Sequence, residues 1–145
     1  MQVAEMAEVM GGRSILERPI RSLAELRAAI GAGLALPALE RVASQVYDDP
    51  VARRAFMRVV VPEGSLKRRQ RTGHLSPTES ERTARLAHIV ALADYVWRNR
   101  DDARAFLTTP HPELGDVAPI EAAVEEFGAR QVEEILEGIL HGLPA

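Results

Sequence analysis

Apolar residues recur every three or four positions through most of this chain, and small punctuating residues cut that pattern into helical segments. Ser22 followed by Glu25 is a capping box, opening a helix with Leu23, Leu26 and Ile30 on one face that Gly31 and Gly33 bring to an end. Pro37 suits the first position of the next helix, which carries Leu39, Val42, Ala43 and Val46. Asp49 and Pro50 pair as cap and first turn of a helix running to about Val60, where Pro62 and Gly64 break it. Ser65 caps a short helix to about Arg71, stopped by Gly73. Ser76, Pro77 and Glu79 make a second capping box, and Leu86, Ile89, Val90, Ala93, Val96 and Trp97 then stripe the longest helix of the chain.

Beyond Asn99, Asp101 caps a short helix through Phe106 and Leu107, and Pro110, Pro112 and Gly115 make a loop. Pro119 starts a helix with Ile120, Ala123, Val124 and Phe127, closed by Gly128. The final helix places Val132, Ile135, Leu136 and Ile139 in one stripe, with Glu133, Glu134 and Glu137 opposite. Residues 1–20, with Gly11, Gly12 and Pro19, sustain no periodicity and read as a weakly structured leader with at most a short helix near Val3 to Met10. Apart from Val59 to Val61, no segment alternates with period two. The expected fold is all-α, with about eight helices.

Composition narrows the class. The 145 residues hold no cysteine, which excludes disulfides, thiolate nucleophiles and cysteine-ligated metals and suits a reducing cytoplasm. The longest uncharged runs are far shorter than the ~20 apolar residues of a membrane span, and Glu5 and Glu8 stand where a secretory start would be basic. A soluble cytoplasmic protein is the expectation.

Net charge conceals an asymmetry. Of a total of −3, residues 51–75 hold seven basic side chains against Glu63, a local +6, whereas residues 101–145 hold ten acids against Arg104 and Arg130, a local −8. One basic and one acidic region suggest two different partners, against the alternative of two ordinary solvated faces.

Catalysis finds little support. His74, His88, His111 and His141 are far apart and fall in no short metal-binding pattern, and the adjacent pairs Glu125–Glu126 and Glu133–Glu134 point different ways on a helix. No glycine-rich phosphate loop is present. Neither a catalytic residue, a metal nor a cofactor is expected, and the chain does not read as an enzyme. The segment from Val51 to Arg71 says more. A helix, a turn with Pro62, Glu63 and Gly64, and a short helix from Ser65 have the arrangement of a helix-turn-helix, whose second helix enters the DNA major groove. With Leu66 inward, about 100° per residue puts Arg68 and Arg71 near the outward centre, flanked by Lys67 and Ser65. Arg69 lies nearer the buried side and suits a backbone phosphate. A solvated basic face is the competing explanation.

Several stretches together carry a resemblance: Ser65-Leu66-Lys67-Arg68-Arg69, Gly73 through Arg82, Arg85 through Ala93, Ala105 through Pro110, Leu114-Gly115, Ala118-Pro119-Ile120, and Gly128 through Gly142. In this order and spacing the chain from about Leu23 to Ala145 resembles the Xre/MbcA/ParS antitoxins, which join an Xre-like helix-turn-helix to a C-terminal toxin-binding domain. Phe106 stands for the family's usual Trp, Asp116 where a second Gly is common, and Val124-Glu125-Glu126 for a more apolar stretch. After the leader of residues 1–20, the resemblance implies a DNA-binding domain over 21–75 and a long linking helix with a toxin-binding domain over 76–145. It also implies a type II toxin–antitoxin module, in which the protein silences a RES-domain toxin, an NAD-consuming or ADP-ribosylating enzyme, forms a hetero-oligomer with it, and represses its own promoter DNA. The alternative is a stand-alone transcriptional regulator whose C-terminal domain only oligomerises.

Two surfaces complete the expectation. Ala84, His88, Ala91 and Tyr95, with Leu92 alongside, form a second, modestly apolar face on the long helix that suits a homodimer, or else packs against the N-terminal helices. At the C-terminal end, which the resemblance places at the toxin's active site, Glu134, Glu137, Leu140, His141, Gly142, Leu143, Pro144 and Ala145 are the expected toxin contacts. There the last five residues would obstruct an NAD pocket whose cationic lining, built for a pyrophosphate, complements acidic groups.

Overall fold

The computed structural model describes residues 3–142. Among these the chain is all-helical, with ten α-helices, a single 3₁₀ turn at Pro112–Leu114 and only two isolated β-bridges. The helices are α1 (Val3–Val9), α2 (Gly12–Leu16), α3 (Leu23–Ala32), α4 (Leu36–Val46), α5 (Pro50–Val60), α6 (Glu63–Thr72), α7 (Pro77–Trp97), α8 (Arg100–Thr108), α9 (Pro119–Ala122) and α10 (Glu126–Leu140). No helix of the described residues is long and apolar enough to cross a membrane.

Local chemistry sets most of the boundaries. Ser22 Oγ accepts from Glu25 N at 3.1 Å, Asp49 accepts from Ala52 N at 3.0 Å, and at α7 both halves of the Ser76–Glu79 box form, at 3.2 and 2.9 Å. Asn99, two residues ahead of the expected Asp101, caps α8 by accepting from Asp102 N at 3.0 Å. Asp101 lies in the first turn instead, where a carboxylate favours the positive end of the helix dipole. The helix expected to begin at Ser65 starts at Glu63: Pro62 is its cap residue, and no side chain caps it.

The 21-residue α7 is the axis of the fold. Helices α1, α3, α4, α8 and α10 all pack on it, so Leu86, Ala87, Ile89 and Ala93 are fully buried. The supposed leader belongs to this core. α1 packs on α7, Met10 is 0% exposed and Ile20 4%, and Gly11, at φ 103, makes the turn that folds α2 back on α1. A double glycine interrupts any periodicity in this stretch, and helices of 7 and 5 residues are unstable alone, so only the docking surface specifies them.

A polar clasp fixes the middle of the chain to α7. The α3–α4 and α6–α7 junctions pair as a short bridge, Leu36 N donating to Gly73 O at 2.9 Å and Leu75 N to Leu34 O at 2.8 Å, while buried Ser80 accepts from Leu34 N at 2.8 Å. At Gly33, φ is 92 and a Cβ would lie 2.5 Å from Leu75 O, so only glycine fits this junction.

Candidate functional site

The basic region folds as expected into two helices joined by a tight turn, but its cations divide into two sets. Arg53 Nε donates to Tyr47 O at 2.6 Å, Arg58 pairs with Glu63 across the turn, and Arg69 is bound bidentately by Glu79, at 2.6 and 3.2 Å. Arg54, Lys67, Arg68 and Arg71 remain exposed, with Ser65 half-buried beside them. The outward face expected for Lys67, Arg68 and Arg71 is therefore present, because Leu66 alone among the α6 residues is buried.

Arg69 is the correction on this face. Its guanidinium does not stand free for a phosphate but turns inward, where the hydrogen bond to Glu79 strengthens its hold on the proton. Burial by itself would push the Glu79 carboxyl up. The hydrogen bonds from Arg69 and Ser76 outweigh that and hold it below the ordinary carboxylate value. One carboxylate thus serves as cap of α7 and as anchor of α6. Since α6 buries only Leu66, this ion pair fixes the tilt of the helix that would read DNA.

The face of α7 proposed for dimerisation is largely covered. Ala84, Ala91 and Leu92 are 3%, 7% and 9% exposed within the single chain, and half-buried His88 faces Glu133 of α10 at 3.4 Å. Only Tyr95 stands out, at 55%. The physical reason is that α7 is clothed on both sides, by α1 and by α10, so a stripe that looks like a second face is the inner surface of another contact. Intrachain packing claims it.

The acidic half folds on the C-terminal part of α7. α8 and α10 both pack on α7, with α9 between them, and Arg85 ties the group together by donating to Val124 O at 2.6 Å. Arg104 reaches from α8 to the end of α4, donating to Gln45 O at 2.8 Å, Ser44 O at 3.1 Å and Asp48 Oδ1 at 2.7 Å. It satisfies carbonyls that a helix C-terminus leaves open and joins the acidic half to the segment preceding α5. Asp116, where the resembling sequences commonly have Gly, adopts φ 63, a left-handed conformation that Asp tolerates better than most residues.

Two expectations near α10 change. Gly128 does not close a helix: it lies inside α10, and a Cβ there would sit 1.9 Å from Ala122 O. The helix from Pro119 ends instead at Ala122, and Phe127 leaves the Ile120–Ala123 stripe to become 74% exposed. Val132 and Leu136 are core, while Glu134, Glu137, Leu140, His141 and Gly142 are exposed. Leu143, Pro144 and Ala145 lie outside the described residues. Phe127 is the exposed group that sequence reasoning missed, because its helical phase depends on the break before Glu126.

Two similarities to known proteins bear on these surfaces. Residues 92–142 match the family described as antitoxin Xre/MbcA/ParS C-terminal toxin-binding domain. The chain is also 33% identical over 84 residues to the protein named Antitoxin Xre of Pseudomonas putida KT2440. That stretch covers 57% of this chain and 53% of the relative, so the chain spans about half the length of the curated relative it matches. The matched segment runs from the end of α7 through α8, α9 and α10, the same set of helices that folds as one acidic unit, so it is this unit that is similar to the Xre/MbcA/ParS antitoxin C-terminal toxin-binding domain.

Proposed function

We propose that this chain is the antitoxin of a toxin–antitoxin pair and acts through two surfaces. The observation that carries the reading is the match of residues 92–142 to a toxin-binding domain. On this reading the toxin is a RES-domain enzyme that consumes NAD or ADP-ribosylates a target, as the sequence resemblance implies. The outward side of α10 meets it, and the glutamates there complement a cleft that must be cationic to hold a dinucleotide pyrophosphate. The second surface, α5 and α6, represses the chain's own promoter. Lys67, Arg68 and Arg71 approach DNA, Arg54 extends the positive face, and the Arg69–Glu79 pair sets the angle of α6. Burial of Ala84, Ala91 and Leu92 leaves that stripe unavailable for a dimer, so any pairing of two chains on DNA uses another face.

The test pairs the protein with the purified RES-domain product of an adjacent reading frame. Toxin NAD consumption is expected to cease at an equimolar ratio, and the Arg68→Ala, Arg71→Ala double variant is expected to keep that inhibition while losing the promoter fragment. NAD consumption unchanged by the wild-type protein would refute the antitoxin reading. Promoter binding without any inhibition would point instead to a stand-alone regulator.

A further inference from the structure

The most exposed aromatic side chain of the described residues is Phe127, 74% accessible on the first turn of α10. Ile120 and Ala123, its expected companions, are fully buried. The interruption of helix at residues 123–125 rephases α10 and turns the ring outward. At about 100° per residue, Gln131 and Glu134 continue the same side of α10, and both are exposed. Around the ring, Glu125 and Glu126 are also exposed, and Arg130 offsets only Glu126, at 3.7 Å.

A large apolar group inside a charged rim has the composition of an interface anchor, since aromatic residues dominate binding energy once their surroundings exclude water. The sign of the rim selects the partner. A second copy packed on itself about a two-fold axis would set Glu125, Glu126 and Glu134 against the same glutamates, and nucleic acid would meet them with its own negative charge. We infer that Phe127 is the anchor by which this chain docks on its toxin, entering an apolar socket ringed by lysine or arginine on the toxin's surface. The inference rests on the antitoxin reading and adds the residue and the partner chemistry to it. It also places the contact at the start of α10, away from the last residues of the chain.

Isothermal titration of the full-length chain against the purified RES-domain toxin tests this, with Phe127→Ala and Phe127→Leu alongside the wild type. Phe127→Ala is expected to weaken binding by at least ~30-fold and Phe127→Leu by less, as an anchor contributing about 2 kcal/mol requires. The melting temperature should be unchanged, because the ring is exposed. Added salt should weaken wild-type binding. Equal affinity of wild type and Phe127→Ala would overturn the anchor and leave the antitoxin reading intact, whereas a wild-type protein that does not bind the toxin overturns both. A lowered melting temperature would assign the ring to this chain's own packing. Dissociation of a wild-type oligomer by Phe127→Ala, with toxin affinity unaltered, would make the occupant a second copy. Either result refutes the inference.

Discussion

Replacing Gly128 by Ala sets two effects of opposite sign against each other. Gly128 lies within α10, where Ala is intrinsically the better helix former by about 1 kcal/mol. Against this, the new methyl would sit 1.9 Å from Ala122 O and 2.7 Å from Ala122 C, whereas ordinary contact begins at 3.4 Å, so α9 and α10 must part by about 1.5 Å. The obstacle is backbone, and it cannot swing away as a side-chain tip would. An overlap of this size on backbone falls in the upper part of the overpacking range, about 2–3 kcal/mol, which exceeds the propensity gain and leaves a net loss of about 1–2 kcal/mol. For a chain of this size that lowers the melting temperature by about 2–8 °C. Gly31→Ala is the matched control: it lies in α3 with nothing within 4 Å of the added methyl, so it should raise stability by up to about 1 kcal/mol. Thermal and urea unfolding followed by far-ultraviolet circular dichroism measure both. A Gly128→Ala protein as stable as the wild type would refute the close approach of α9 to α10.

Glu79 carries a pH signature. Its carboxyl titrates below the ordinary value of 4.5 in the folded chain, so its contribution is complete above that value and disappears as pH falls through the lower folded one. Urea midpoints measured between about pH 5 and 3 should therefore fall less steeply for Glu79→Gln than for the wild type. Arg104→Ala removes charge-assisted bonds to Ser44 O and Gln45 O and should cost about 2 kcal/mol in the same unfolding assay. On the proposed DNA surface, each of Arg68 and Arg71 that contacts a phosphate should reduce the slope of log affinity against log salt by about 0.9 when changed to Ala. Arg69→Ala should weaken promoter binding and also destabilise the fold, a pairing that distinguishes a positioning residue from a contact.

Helix existence, helix ends and the two-sided charge were legible in the sequence because they rest on interactions within a few residues. Ser22, Asp49 and the Ser76–Glu79 box each satisfy amides two or three positions away, so their side chains mark a boundary whatever surrounds them. What the sequence could not settle was decided by contacts between distant segments. The helices of residues 3–16 exist because α7 offers α1 a surface and α1 and α4 offer one to α2, and the stripe at Ala84, Ala91 and Leu92 is inner surface because α1 and α10 cover it. Arg69 looked like one cation among several until the fold brought Glu79 beside it, and Gly128 looked like a terminator because the same missing side chain that ends helices also permits two backbones to touch. Phe127 followed a sound helical period that stops at Ala122. A break of three residues changes its phase, and phase alone separates a core ring from an exposed one.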